Sequence, residues 1–429
     1  MRILVVSRAA WRNDNNIGNT LTDFFKDFLQ AEIYCISLRE GQPSNGVAKN
    51  NYCISEIQLI RGFFAPKKIG KIFEEDIKDR VNGIEEKIYS AAKKYDSNFL
   101  KIAREILWSF TGWRNSKLKK YLLSVNPDIV FFPVYNCYYP HKLLAFIRKS
   151  IHPKIVLFHA DDNYTLEKFS LSPLYWLYRF GLRKWVRRSV THSDLNFAIS
   201  EMMADEYSQI FHMQFLLLHK FGTIVQGAQV ENKTLNETCK IVFTGNLSSG
   251  RWKTIVELGR ALDKINSEHR SECNIVELDI WSNTPVTSKM KKCLSAKSIH
   301  LCGSAASERI QDIQVQADIL LHVESFSLRD KLEVKYSFST KIIDYMTRRK
   351  CVLVIGPSDV ASVYYFIKHK IGYVISNKNE IYNRINELVS HKDLKDKIAD
   401  DISHYYSQMS KNYTRERFHE QLLQVVGHR

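Results

Sequence analysis

Short apolar runs alternate with amphipathic stretches along most of the chain, the pattern of parallel β-strands connected by helices. In the first half, LTDFFKDFL and EMMADEYSQIF have helical spacing, and residues 76–120 form a long, charged helical pattern. Buried strands are predicted at RILVVSR, AEIYCISL, NPDIVFFPVY, HPKIVLFHADD and SDLNFAIS. This half therefore predicts an open, mostly parallel sheet covered by helices.

The alternation starts afresh after a polar, unpatterned stretch, GAQVENKTLNETCK, at residues 227–240. Strands are then predicted at KIVFTG, IVELDIWS, SIHLCG, ADILLHV, CVLVIGP and IGYVIS, with helical segments between them. Since 429 residues suit two domains, we predict an α/β chain with a first lobe at 1–226 and a linker at 227–240. A second lobe follows at 241–403, and a C-terminal helix at 404–429 packs back on the first lobe.

Composition and net charge restrict the classes of molecule that the protein can bind and its expected location. The formal net charge of +16 predicts an anionic partner: nucleic acid, acidic lipid or a phosphorylated substrate. Eight scattered cysteines without a CxxC motif indicate reduced thiols, not a disulfide framework or a zinc site. The apolar run Ile3 to Val6 is too short for a signal sequence, and no segment reaches the roughly 18 apolar residues of a membrane span. We expect a cytoplasmic protein whose membrane contacts are peripheral.

The stretch IVFTGNLSSGRWKT, residues 241–254, is the first candidate for ligand chemistry. Gly245 and Gly250 have the spacing of a P-loop, but Arg251 and Trp252 replace its Lys and Ser/Thr. A glycine turn before a helix still presents backbone amides at a positive helix end, and an arginine there can clamp an anion. The alternative is an ordinary strand-to-helix turn with basic residues on its surface.

A second candidate lies in FSTKIIDYM. Ser339 and Thr340 are good helix caps, Lys341 falls in the first turn and Asp344 about one turn later. Because a cation in a first helical turn is unfavourable unless an anion is bound there, the position of Lys341 predicts a phosphate, with Asp344 available to a ribose diol. A solvated helix start is the alternative.

Taken in order, these segments resemble a known family. GNLSSGR, GSAASERIQDIQVQADILLHV and FSTKIIDYMTRRKCVLVIGP resemble the donor lobe of GT-B glycosyltransferases, especially family 4, and LFHADDNYT, NFAISEMMADEY and the NNIGN turn resemble acceptor-lobe segments of bacterial surface-polysaccharide glycosyltransferases. The chain departs from the family pattern with Asn246 for Arg, Thr340 for Pro, Asp344 for Glu, and Arg348 and Arg349 for small residues.

The resemblance implies the GT-B fold, two Rossmann-like doubly wound lobes facing an interlobe cleft. It also implies transfer of a sugar from a nucleotide-diphosphate sugar to a lipid-linked or oligosaccharide acceptor, with retention, in capsule or O-antigen (lipopolysaccharide) assembly. Since Asn246 replaces the family arginine, the diphosphate role moves to Arg251, with Lys253 as second choice. The implied donor-binding residues are Gly245, Asn246, Arg251, Lys253, Ser339, Thr340, Lys341 and Asp344, and the implied acceptor-binding residues are Asn16, Gly18 and Asn19.

Three polar residues, His159, Asp161 and Asp162, follow the predicted strand KIVLF. They are therefore expected at a carboxyl end facing the cleft, where they can position the acceptor hydroxyl or relay its proton as catalytic residues. The alternative is a helix cap for either aspartate. Because Asp161, Asp162 and Asn163 lack the DxD spacing of metal-dependent glycosyltransferases, we predict no obligatory metal and no cofactor besides the donor.

The stretch 169–190, FSLSPLYWLYRFGLRKWVRRSV, combines an aromatic stripe with five basic and no acidic residues. It suits a helix in the headgroup layer of an anionic membrane, at the inner face of the bacterial cytoplasmic membrane. RGFFAPKKIGKIF and ILWSFTGWRNSKLKK have the same character. The alternative is that the stripe belongs to the core.

Two other classes of function are compatible with parts of the sequence. A nucleic-acid-binding protein would account for the charge and for 23 Phe, 21 Tyr and 7 Trp, but the aromatics lie within apolar strands and helices and no nucleic-acid motif is present. We therefore predict no nucleic-acid partner. A Rossmann oxidoreductase or a nucleotide-sugar-modifying enzyme such as an epimerase is the other class, and neither lobe opens with GxGxxG.

Overall fold

The computed structural model describes residues 1–13, 16–73, 98–222, 238–268 and 275–427. The chain divides into two compact units. Unit 1 contains the described residues of Met1–Ile199, Met203–Lys220 and Arg415–Arg429, and unit 2 those of Ser200–Met202 and Phe221–Thr414. Of the predicted linker at 227–240, residues 227–237 lie outside the described residues.

Unit 1 is built on an eight-stranded sheet in the order β4-β3-β2-β1-β5-β6-β7-β8. Neighbouring strands are parallel except for the antiparallel pair β3 and β4. Its strands are β1 (Arg2–Ser7), β2 (Glu32–Ser37), β3 (Ala48–Cys53), β4 (Lys71–Phe73), β5 (Ile129–Pro133), β6 (Lys154–His159), β7 (Leu195–Ala198) and β8 (Phe215–Leu217). The long apolar strands are those that the sequence predicts, whereas β3, β4 and β8 are polar or only three residues long.

Helices connect these strands. They are α1 (Asn16–Phe25), α2 (Glu56–Arg61), α3 (Asn98–Phe110), α4 (Ser116–Val125), α5 (Tyr138–Ile151), α6 (Pro173–Val190) and α7 (Glu201–Phe211). Helix α6 begins where Ser172 accepts a hydrogen bond from the Tyr175 backbone N–H and where Pro173 occupies the first helical position. The predicted long helical region at 76–120 is described only from residue 98 onward, where it forms α3 and α4.

Unit 2 has a six-stranded, all-parallel sheet in the order β11-β10-β9-β12-β13-β14. Its strands are β9 (Cys239–Thr244), β10 (Val276–Trp281), β11 (Ile299–Gly303), β12 (Ile319–Val323), β13 (Cys351–Ile355) and β14 (Tyr373–Ile375). Its helices are α8 (Arg251–Glu268), α9 (Ser288–Cys293), α10 (Ser307–Gln316), α11 (Leu328–Val334), α12 (Thr340–Met346), α13 (Ala361–His369), α14 (Ile381–Ser390) and α15 (Lys392–Asn412).

Both sheets contain the doubly wound strand order 3-2-1-4-5-6 of the Rossmann fold. In unit 1 the order reverses between β1 and β5, and in unit 2 between β9 and β12. The predicted α/β class with two doubly wound lobes is therefore confirmed. These two reversal points are where such sheets bind ligands.

The C-terminal stretch is two helices rather than the single helix predicted at 404–429. Helix α15 ends at Asn412, and α16 (Arg415–Gly427) follows after a break. In unit 1, Phe418 of α16 packs against Phe24, Phe25, Phe131 and Phe197. Among the described residues, no helix is both long and apolar enough to cross a membrane, and the seven described cysteines are free thiols.

Candidate functional site

The predicted donor residues lie at the point where the strand order of unit 2 reverses. The turn that contains Gly245 and Gly250 follows β9, and Glu324 follows the neighbouring strand β12. Carboxyl ends of adjacent parallel strands form a crevice in which open α/β sheets bind ligands. The location therefore suits a ligand site.

The first half of this turn is fixed by hydrogen bonds. The Gly245 backbone N–H donates to the Trp281 carbonyl at 3.0 Å. Oδ1 of the exposed Asn246 accepts from the Ser248 backbone N–H at 2.6 Å and from the Thr284 hydroxyl at 2.9 Å. Asn246 thus organises the turn, which leaves the loop rigid.

The second half of the turn requires a glycine. Gly250 has a φ of +74°, and a Cβ there would lie 2.0 Å from Oδ2 of Asp330 and 2.6 Å from the Ser325 hydroxyl. Asp330 also pairs with Lys253, Nζ to Oδ2 at 2.7 Å. The turn and helix α11 are therefore held against each other by a carboxylate.

Arg251, the first residue of α8, forms a two-point ion pair with Glu324. Nε lies 3.0 Å from Oε2 and NH2 lies 2.9 Å from Oε1. Burial tends to raise the pKa of the Glu324 carboxyl, but His322 and Arg251 hold it below its ordinary value, so it is ionised. The charge of Arg251 is thus balanced within unit 2 and its guanidinium has a fixed orientation.

The start of α12 carries the other predicted donor residues. Ser339 is the N-cap but makes no capping hydrogen bond with its side chain, and Thr340 begins the helix. Nζ of Lys341 lies 3.9 Å from Oδ2 of Asp344, and the Lys341 side chain is 40% exposed. A cation and a carboxylate therefore stand side by side at an accessible helix start.

A tyrosine joins the two predicted donor segments. The Tyr345 hydroxyl of α12 accepts from the Thr244 backbone N–H at 3.0 Å and lies 3.0 Å from the Thr244 hydroxyl, at the end of β9. Tyr345 and Thr244 are buried. The structure thus brings helix α12 next to the strand that leads into the glycine turn.

A series of side-chain hydrogen bonds also extends from the Thr244 hydroxyl. Gln314 of α10 donates to the Thr244 hydroxyl at 2.8 Å, and Arg348 Nε donates to Gln314 Oε1 at 3.2 Å. Arg348, which replaces a small residue of the family pattern, therefore belongs to a buried network. Arg349, the other departure, adopts a left-handed φ of +54°.

In unit 1, His159 lies at the carboxyl end of a strand as predicted, being the last residue of β6, but its side chain is not accessible to a ligand. The ring is fully buried between Tyr207 and Phe215. Among the described residues, neither of its ring nitrogens has a hydrogen-bond partner. Burial, together with His141, lowers its pKa to about 3 against a weaker opposing effect of Asp162. This imidazole is neutral and packs as an aromatic ring.

The two aspartates differ. Asp162 is buried and pairs with Arg179, NH2 to Oδ2 at 3.0 Å. Its carboxylate also accepts from the Thr165 backbone N–H at 2.8 Å, the Thr165 hydroxyl at 2.6 Å and the Tyr207 hydroxyl at 2.7 Å. These contacts suit a structural role. Asp161 is exposed and is the member of the predicted catalytic set that a ligand can reach.

The predicted acceptor residues are at the start of α1. A Cβ on Gly18 would lie 2.0 Å from the Arg12 carbonyl oxygen, and Gly18 itself accepts a hydrogen bond from Trp11 Nε1 at 3.1 Å. Glycine is therefore required for the packing of α1. Asn16 begins the helix and Asn19 is exposed.

Sequence reasoning missed Glu324 and Tyr345, although one signal was available. Glu324 directly follows the apolar run ILLHV, the position at which carboxyl-end residues approach ligands. Among the described residues, no group of three or more His, Cys, Asp and Glu side chains is placed to hold a metal ion.

No protein-family model and no curated protein matches the chain. Solved structures do resemble it. HepE from Anabaena, in complex with UDP and glucose, has a TM-score of 0.64 at 12% identity over the whole of both chains. A trehalose-6-phosphate protein from E. coli, bound with UDP-2-fluoro glucose, has a TM-score of 0.59 at 9% identity over 99% of both chains. TarM from S. aureus has a TM-score of 0.51 at 13% identity, covering 72% of this chain and 57% of TarM. These likenesses establish the GT-B fold.

Proposed function

We propose that this chain is a glycosyltransferase that uses a nucleotide-diphosphate sugar. Unit 2 binds the donor and unit 1 binds a glycan acceptor. In the reaction the bond between the anomeric carbon and the diphosphate breaks, the acceptor hydroxyl oxygen bonds to that carbon, and the hydroxyl proton is released. The fold is compatible with this activity, and the residues of the donor site in unit 2 support it.

The observation that carries the proposal is the contact of Tyr345 with Thr244. Through it, the helix start with Lys341 and Asp344 lies beside the strand that enters the glycine turn. A partly exposed ammonium group with a carboxylate one helical turn away can bind a diphosphate and a ribose diol. Doubly wound sheets bind ligands at the point where the strand order reverses, here between β9 and β12, which supports a donor site in this part of unit 2.

The charges of the site suit a leaving diphosphate. Negative charge develops on the diphosphate as the sugar departs, and fixed cations lower the barrier by a few kcal/mol. Arg251 and Lys253 are each held by a carboxylate, which fixes their positions but balances their charge. Lys341, 3.9 Å from Asp344, is a third cation of the proposed site, and Arg251 supplies directed hydrogen bonds.

On the acceptor side, Asp161 is the residue of the predicted catalytic set that can contact the acceptor hydroxyl, because His159 and Asp162 are buried. Gly18 and Asn19 lie at the predicted acceptor turn. The finer features of the proposal are retention of configuration, a lipid-linked acceptor, and a role in surface-polysaccharide assembly. The motif resemblance to family 4 enzymes supports them.

We further propose that unit 1 attaches to an anionic membrane surface through α6. The stripe predicted for α6 consists of Leu171, Leu174, Tyr175, Tyr178, Leu182 and Trp185. Tyr178 and Leu182 are core residues, as the alternative prediction had it, whereas Leu174 is exposed. Leu177 and Phe180 on the same helix are exposed as well, Leu177 to 67%. Exposed Lys184, Arg187 and Arg188 follow. Apolar residues beside a basic cluster are typical of a helix in the headgroup layer.

The donor site is tested by thermal shift with UDP, GDP, ADP and CMP and their sugars. UDP is the first choice because the similar structures from Anabaena and E. coli hold UDP and UDP-2-fluoro glucose. We expect one nucleotide to raise the melting temperature of the wild type. The shift should be lost in Lys341→Ala and Asp344→Asn and kept in Lys397→Ala, an exposed lysine of α15. If no nucleotide gives a shift, the proposed donor site is wrong.

A further inference from the structure

Arg8 is located at the reversal point of the unit 1 sheet. It directly follows β1, and β5, the neighbour on the other side of the reversal, leads through Asn136 into helix α5. This is the position in unit 1 that corresponds to the glycine turn of unit 2. By the same rule, a ligand of unit 1 is expected here.

Arg8 is a mostly buried cation that makes no ion pair within the part of the chain that the structure describes, although the Glu56 carboxylate acts on it from a greater distance. Within the described residues, no Asp or Glu oxygen lies within 4.0 Å of its guanidinium, and Nε makes no hydrogen bond. NH1 donates to Asn136 Oδ1 at 3.3 Å. Burial by itself would lower the pKa of Arg8, but Cys137 and Tyr139 raise it above its ordinary value, so the side chain is charged.

Neighbouring polar atoms also lack partners in the part of the chain that the structure describes. Tyr139 is fully buried and its hydroxyl has no hydrogen bond of good geometry. The Ser7 hydroxyl is buried without a partner as well. A cluster of this kind is costly unless a ligand completes its hydrogen bonds.

We propose that Arg8 binds an anionic group of the acceptor, a sugar carboxylate or a phosphate. The proposal rests on the function proposed above. A guanidinium grips either group by two parallel hydrogen bonds. The Tyr139 hydroxyl beside it can donate a third bond. Arg8 remains partly exposed, so the anion can reach it. An acidic acceptor also agrees with the net charge of +16.

The test is calorimetric titration of the full chain with three probes. Methyl β-D-glucuronide carries a carboxylate, methyl phosphate a phosphate, and methyl β-D-glucoside neither. We expect one of the two anions to bind saturably and the neutral glucoside not to bind, and the anion that binds identifies the source of the charge. In Arg8→Met that binding should weaken at least about tenfold. The affinity for the anion should be unchanged in Arg148→Gln, which alters an exposed arginine of helix α5.

UDP titration of the same variants separates the two proposals. If UDP binds but neither anion binds, or if the anion binds Arg8→Met as tightly as the wild type, the assignment of Arg8 is wrong. A failure of every nucleotide to bind would instead overturn the proposed function. A second measurement addresses folding: Arg8→Met should unfold at a higher denaturant concentration than the wild type, because an unpaired buried charge is removed. A lower midpoint would make Arg8 a structural residue and overturn the proposal.

Discussion

Arg251 and Glu324 lie 73 residues apart in the chain, yet they form a two-point ion pair at 2.9 and 3.0 Å that joins the start of α8 to the end of β12. The Glu324 side chain is only 2% exposed. It therefore depends on Arg251 for the partner that makes its charge tolerable in the interior. Arg251 positions the site and also stabilises unit 2.

Arg251→Ala should consequently lower the free energy of unfolding by about 3 kcal/mol, because it removes the two-point partner of a buried carboxylate and leaves Glu324, among the described residues, with only His322 at 3.4 Å and the Ser362 hydroxyl at 3.3 Å. Urea unfolding measures this. The double variant Arg251→Met/Glu324→Gln should recover most of the loss. The matched control is Lys253→Ala, which breaks the more exposed pair with Asp330 and should cost less than about 1 kcal/mol. Equal losses in the two single variants would contradict the argument.

His159→Phe should be more stable than the wild type in mild acid. The folded-state pKa of His159 is about 3, below the unfolded value of about 6.5. The neutral imidazole therefore contributes its full stability above pH 6.5, and this stability is lost as the pH falls toward 3. At pH 5 the wild type should have lost about 2 kcal/mol that the phenylalanine variant retains.

The measurement is the unfolding free energy of both proteins at pH 7.5 and pH 5. His404→Gln changes an exposed histidine and is the control, for which no pH-dependent difference is expected. Loss of stability in His159→Phe at pH 7.5 would show that the ring nitrogens have a partner that the aromatic packing does not reveal.

Chelation should leave transferase activity intact. The prediction follows from the sequence, in which Asp161, Asp162 and Asn163 lack the DxD spacing of metal-dependent glycosyltransferases, and it leaves Arg251 and Lys341 as the proposed cations beside the diphosphate. Sugar transfer, once the donor is identified, is measured with and without EDTA. A complete loss with EDTA that returns on addition of Mg²⁺ or Mn²⁺ would mean that the metal prediction is wrong.

Leu177→Ser/Phe180→Ser should reduce membrane attachment. Both side chains are exposed on α6, and each contributes apolar area to a bilayer interface. Flotation with vesicles of anionic and of neutral lipid measures attachment, and we expect the wild type to float with the anionic vesicles. The control, Leu29→Ser, changes a leucine that is 93% exposed beyond α1. Equal flotation of the two variants would contradict the role of α6.

The sequence predicted the strands that are buried on both faces, because a continuous apolar run such as IVFFP has one stable placement in a parallel sheet. It did not predict β3, which reads AKNNYC, since its polar residues pair with distant segments: Asn51 donates to the Ser37 hydroxyl, and Asn50 accepts from the Tyr121 hydroxyl. The donor segments were predicted from glycines and caps, which act locally. The ion pair of Arg251 with Glu324, and that of Asp162 with Arg179, depend on contacts between distant segments. For the same reason, burial of His159 could not be read from its place at a strand end.

The return of helix α16 to unit 1 affects the order in which the chain can fold. Phe418 completes an aromatic cluster with Phe24 and Phe131, so part of the core of unit 1 is synthesised after unit 2. In the sequence, most of unit 2, from residue 221 to 414, lies between the two parts of unit 1. On the ribosome, where domains generally fold as they emerge, unit 2 can fold first, whereas unit 1 is complete only after α16 has been synthesised.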